Sequence, residues 1–103
     1  GHWTQDGAIT SQFEQHLRAV LDLPLGSTDA VAPWTVMINV LGGPAEGGLD
    51  ERFAAAMAAH PAAKIHTYGK APRPGRKVGH VNVIGEDLDD VVYEGRAAAA
   101  FFD

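Results

Sequence analysis

The sequence predicts an α+β protein. One run rich in β-branched residues is too short for a typical helix and two later runs look like strands, while two other segments carry apolar residues at helical spacing and a third opens on acids as a helix does. Their order along the chain is a helix, a linker, and then β-α-β-β-α. At 103 residues and 46% hydrophobic content, the core is adequate but small.

The first helix is expected over residues 11–23. Ser11-Gln12-Phe13-Glu14 has the form of a capping box, with the Ser11 hydroxyl serving early helical amides and Glu14 reaching back to the cap. Phe13, Leu17, Val20 and Leu21 form one apolar stripe, His16 falls on the polar side, and Leu23-Pro24-Leu25-Gly26 ends the helix. Residues 27–33 are polar, end in Pro33 and read as a linker. That divides the chain into 1–26, the linker 27–33, and a body over 34–103.

Within the body, Trp34 to Leu41 reads as a buried strand stopped by Gly42-Gly43-Pro44. Leu49 to His60 reads as a helix, with Leu49, Phe53, Ala56 and Met57 on one side, Asp50 and Glu51 at the positive end, and Pro61 beyond it as a stop. Ala63 to Gly69 and Lys77 to Ile84 read as two strands joined by a proline- and glycine-containing connection. Leu88 to Phe102 reads as a helix opened by Asp87, Asp89 and Asp90, with Gly95 an interior flaw costing about 1 kcal/mol relative to alanine.

Charge is the feature that points to chemistry. The chain carries a formal charge of −5, yet Lys70-Ala71-Pro72-Arg73-Pro74-Gly75-Arg76-Lys77 holds four of its eight Lys and Arg residues. From Arg52 to Gly85 there are six Lys or Arg, three His and no acid. Clearing one segment of negative charge favours a local anion site, with Arg as a planar fork for phosphate and Lys as a point charge. The alternative is a solvated hairpin connection whose charges aid solubility. Nucleic acid is disfavoured as a partner by the acidic balance and the lack of aromatic stacking platforms.

The other candidates are weaker. His2, His16, His60, His66 and His80 lack metalloprotease spacing, and no carboxylate lies between His60 and His80, so no metal site is expected. His66 shares a strand face with Tyr68 and Lys70, and His80 shares one with Asn82. These polar residues are expected on a wet face. The adjacent acids Asp50-Glu51 and Asp89-Asp90 are explained by the helix dipole. There is no cysteine, no phosphate-loop or dinucleotide fingerprint, and no apolar run of about 18 residues that could span a membrane. A soluble, cytoplasmic protein is the default. The opening Gly1-His2-Trp3-Thr4 has no initiator Met and no signal character, so a piece of a larger polypeptide is expected.

Several stretches together carry a family resemblance. They are Gly1-His2-Trp3-Thr4, Ser11 to Val20, Leu23 to Gly26, Met37-Ile38-Asn39, His66-Thr67-Tyr68-Gly69-Lys70, and Arg73-Pro74-Gly75-Arg76-Lys77-Val78-Gly79-His80. Their order resembles that in the 5-(carboxyamino)imidazole ribonucleotide synthases, ATP-grasp ligases of de novo purine biosynthesis. The segment from Lys70 to His80 is the most specific part. The capped helix and its Leu-Pro-Leu-Gly ending are shared more loosely with sibling ATP-grasp enzymes.

The resemblance implies that 1–26 ends an ATP-grasp domain and that 34–103 is a small β-rich carboxyl-terminal domain with two helices, a rudimentary relative of the biotin carboxylase tail. It implies a reaction in which MgATP and bicarbonate make carboxyphosphate, which carboxylates aminoimidazole ribonucleotide, in a parent that is a homodimer. It places Lys70, Arg73, Arg76 and Lys77 at the ribonucleotide phosphate, Lys70 also near the reacting carboxylate, and His2 at the active-site floor. The family's ATP-binding lysine and magnesium-binding carboxylates match nothing here, so the chain alone is expected to be inactive, completed by amino-terminal and ATP-grasp domains. A free-standing anion-binding or docking module without catalysis is the alternative.

Overall fold

The computed structural model describes residues 1–103. Strand β1 (Trp34–Leu41) and strand β2 (Lys64–Thr67) both pair antiparallel with β3 (Lys77–Gly85), giving a three-stranded sheet in the order β1-β3-β2. Before β1 come α1 (Thr4–Gly7) and α2 (Gln12–Val20). A 3₁₀ turn over Leu49–Arg52 leads into α3 (Phe53–Ala59), and α4 (Leu88–Ala100) follows β3. The expected β-α-β-β-α order is present, while α1 is an addition, too short to show periodicity.

The core lies between one face of the sheet and the helices that follow it. Val40, Val78, Val81 and Val83 cluster there with Leu49, Ala56, Val91, Ala98, Ala99 and Phe102. Valine suits the strands because its branched side chain packs on a pleated surface. Alanine suits α4 because a thin helix face lets the helix come close. Gly95 extends that logic and corrects the reading of it as a flaw: it is buried, and a Cβ there would lie 3.1 Å from Ile38 Cγ1 and 3.6 Å from Val36 Cγ1. The missing side chain leaves room for Ile38 and Val36 of β1. The Asp87 carboxylate caps α4 by accepting from the Asp90 amide at 3.0 Å.

Helix α2 is shorter than expected and sits outside this core, with none of its residues buried. The Ser11 hydroxyl accepts from the Glu14 amide at 3.1 Å, as a capping serine should. Glu14 does not reach back to the cap; its carboxylate pairs with Arg18 at 2.6 Å, one turn on. The exposed stripe of Phe13, Leu17, Val20 and Leu21 is flanked by His16, which shares a shallow apolar depression with Phe13 and Leu17 rather than lying on a purely polar side.

The helix ends in a Schellman motif. The Leu23 amide donates to the Arg18 carbonyl at 2.8 Å and the Asp22 amide to that of Ala19 at 3.2 Å, with Asp22 left-handed at φ 55°. An acid in that conformation, at the negative end of a helix, is doubly unfavourable. Asp22→Gly is therefore expected to stabilise α2 by about 1 kcal/mol. Slower amide exchange over residues 17–23 is the check.

Residues 27–33 run back along the amino-terminal segment, with Ile9 N donating to Asp29 O and Val31 N to Gly7 O, both at 2.9 Å. That pairing seats α1 against the second face of the sheet. No helix is long and apolar enough to cross a membrane.

Candidate functional site

The second face of the sheet carries polar residues because of strand register. His66 pairs with His80, Lys64 with Asn82 and Asn39 with His80, so their side chains share one side while Val81 and Val83 point into the core. This face is not wet as expected. His80 and Asn82 are fully buried, because α1 and the residues before it lie across them.

The buried groups find partners in that covering segment. Asp6 accepts from Asn82 Nδ2 at 2.8 Å and pairs with His66 Nε2 at 2.6 Å. Asn82 Nδ2 also donates to the His2 carbonyl at 3.2 Å. Gln5 Oε1 lies 3.1 Å from His80 Nε2, and the Tyr68 hydroxyl lies 2.6 Å from His80 Nδ1. The His66 ring stacks on His80 at 4.6 Å, and the His2 ring lies 5.0 Å from His80 and 5.9 Å from Tyr68. Asn82 Oδ1 is buried without a partner.

Burial, helped by the nearby His66, His2 and Lys77, pushes the His80 imidazole down to about 4, with Asp6 opposing the shift. His80 is thus a neutral group at physiological pH. Burial also raises the Tyr68 phenol, keeping its proton in place.

The basic residues divide between two places. Lys70 follows β2, and its Nζ lies 5.8 Å from the centre of the Tyr68 ring. Lys77 is turned toward the histidine face by a bulge in β3: Val40 pairs with Gly79 but Leu41 with Lys77, so Lys77 shares the side of Leu41 and Asn39. Arg73 instead lines a cleft with Gly42, Gly43 and Pro44. Arg76 Nη1 donates to the Ala71 carbonyl at 3.3 Å. The loop is held there by two backbone bonds, Arg73 N to Gly42 O at 2.9 Å and Gly42 N to Arg76 O at 2.6 Å. None of the four cations forms an ion pair with a carboxylate.

Of the two residues placed at a reacting centre by resemblance, His2 and Lys70, both adjoin Tyr68. Gln5 and Asp6 were not singled out by sequence, and Tyr68 was noted only as sharing the strand face of His66 and Lys70. Asp6 reaches the site across 60 residues to His66 and 76 to Asn82, a pairing that no local pattern announces. The arrangement offers two ammonium groups without a carboxylate partner beside a hydrogen-bonded wall of His80, Tyr68, Asn82 and the His66–Asp6 pair. Chemically that suits an anion carrying an apolar or aromatic ring.

Residues 35–94 match the model of the phosphoribosylaminoimidazole carboxylase C-terminal domain. The chain belongs to that family. The N5-carboxyaminoimidazole ribonucleotide synthase of Mycobacterium tuberculosis is 58% identical over 101 residues, which is 96% of this chain and 24% of that protein. A crystal structure of the phosphoribosylaminoimidazole carboxylase ATPase subunit from Aquifex aeolicus, 42% identical, superposes with a TM-score of 0.80 over 100% of this chain and 30% of the other. The N5-carboxyaminoimidazole synthase of Aspergillus clavatus, in complex with ADP and 5-aminoimidazole ribonucleotide, is 34% identical with a TM-score of 0.77, over 98% of this chain and 27% of that one. The phosphoribosylaminoimidazole carboxylase C-terminal domain thus accounts for the sheet apart from Trp34 and for the first half of α4, and the likeness to solved structures continues through the amino-terminal segment that covers the histidines.

Proposed function

We propose that this chain is the carboxyl-terminal part of an ATP-dependent ligase that carboxylates aminoimidazole ribonucleotide, and that it supplies the side of the active site that grips the ribonucleotide. The observation that carries this reading is the meeting of His2, Tyr68, Lys70 and Lys77 on one face. Residues 1–26 would then close an ATP-grasp domain and 34–103 form the carboxyl-terminal domain.

In this reading the four cations act in two groups. Lys70 and Lys77 sit beside the histidine wall and hold charge near the base and the developing carboxylate. Arg73, exposed on the hairpin connection, meets the ribonucleotide phosphate, and Arg76 shapes the loop while lending its charge. A fixed cation beside a developing negative charge stabilises the transition state more than the ground state.

The residues present do not fit magnesium and nucleotide. No group of three or more His, Cys, Asp or Glu could hold a metal ion, and Asp6 is engaged by His66 and Asn82. Segments of the parent ahead of this chain would bind MgATP and activate bicarbonate, and no step here runs through them.

In the parent enzyme, Lys70→Ala is expected to lower kcat/KM for aminoimidazole ribonucleotide on the order of 100-fold while leaving the KM for ATP unchanged. Equal losses for both substrates would contradict a ribonucleotide-side role. The purified 103-residue chain is expected to release no ADP from ATP; nucleotide-dependent ADP release would show that catalysis does not need further domains.

A further inference from the structure

A chain of contacts runs from the amino-terminal segment to Lys70, an exposed cation of the site. Gln5 Oε1 can only accept, so at 3.1 Å it requires the proton on His80 Nε2. His80 Nδ1 is then a bare acceptor, and the Tyr68 hydroxyl at 2.6 Å must donate to it. Tyr68 is thereby pinned at its far end, while its ring takes the Lys70 ammonium at 5.8 Å, within cation–π range. Lys70 itself has a flexible stem and no carboxylate partner.

We propose that His80 is a positioning residue: anchored by Gln5, it fixes the Tyr68 ring, and the ring in turn sets where the Lys70 ammonium rests. The proposal rests on the reading that Lys70 meets the ribonucleotide. His80 touches no reacting atom in it. It explains why a fully buried histidine sits next to the basic loop without contributing charge: a single fixed tautomer makes a directional acceptor, and a positive charge there would repel Lys77. It also ties the site's geometry to the covering segment, since displacing Gln5 would free His80 to rotate.

Imidazole nitrogen chemical shifts of the whole chain give the first test and need no variant. At pH 7 His80 should carry its proton on Nε2 with Nδ1 bare. A proton on Nδ1 would reverse the direction of the chain of bonds and overturn the proposal. The second test follows the ε-methylene protons of Lys70, which the Tyr68 ring should shift upfield. Tyr68→Phe keeps the ring, removes its anchor and should fold; the upfield shift should fall markedly. An unchanged shift in a folded Tyr68→Phe chain would show that the ring needs no anchor. His80→Leu should reproduce the loss where it folds, and His80→Gln should restore part of it.

Binding of aminoimidazole ribonucleotide is read separately. If the wild-type chain binds it, Tyr68→Phe should weaken it by about three- to tenfold, the worth of one hydrogen bond. If the wild-type chain does not bind it, the ribonucleotide reading of Lys70 fails in this chain, while the tautomer and the Lys70 shifts still decide whether His80 positions Tyr68.

Discussion

Gly79→Ala is expected to destabilise the protein by about 3 kcal/mol or more. Gly79 lies in the central strand, paired with Val40 on one side and Thr67 on the other. An added Cβ would stand 2.5 Å from the His66 carbonyl oxygen and 3.4 Å from Thr67 Cα. Both obstacles are backbone, so no side-chain rotation relieves them. Relief would require β2 to move off β3, separating the stacked His66 and His80 rings and drawing Tyr68 off its acceptor. Gly75, with φ 76° and nothing near its Cβ position, is the control: alanine there should cost only its left-handed strain, about 1 kcal/mol. Urea unfolding checks both. A Gly79→Ala midpoint equal to that of Gly75→Ala would contradict the packing described.

Acid should unlatch the covering segment. The folded His80 imidazole is held down at about 4 against an ordinary 6.5. Between those values the unfolded chain binds a proton that the folded one refuses, so stability rises with pH across the window. Above pH 6.5 the contribution is flat; as pH falls toward 4 the folded state loses as much as ~3 kcal/mol from this group. The groups facing it are His2, His66, Lys77 and Asp6, with Gln5 and Tyr68 as its bonded partners. Protonation would set His80 against its neighbouring cations and remove the acceptor that Tyr68 uses. Urea midpoints between pH 4 and 8 are expected to fall below pH 6.5 in the wild type. They should fall less in His80→Gln, and equal slopes in the two proteins would place the effect elsewhere.

The sequence made the strands and long helices legible because each rests on local signals. Trp34–Leu41 is a β-branched run closed by glycines and a proline, and α4 opens on a capping acid. The same local logic misread what distant segments decide. Gly95 is costly in a lone helix, yet it lets α4 pack tightly against Ile38. His80 and Asn82 alternate with valines as on any half-wet sheet, and only the return of residues 1–7 across that face buries them. Asp6 and Gln5 were invisible for that reason: a short helix shows no period, and its partners lie at least 60 residues away. The cluster of basic residues was plain in the charge pattern. That it splits, with Lys70 and Lys77 at the histidine wall and Arg73 in a separate cleft, depends on the β3 bulge at Val78.

An amide chemical-shift titration of the chain with aminoimidazole ribonucleotide, run beside inorganic phosphate and repeated on Arg76→Ala and Lys70→Ala, bears most directly on the proposed site. The expected result is saturable shifts spanning His66 to His80 and reaching His2, weakened in both variants and absent from α3 and α4. A folded chain in which the ribonucleotide moves no amide, or moves those of Arg73 and Gly42 alone as phosphate would, would contradict a binding site built on the histidine wall.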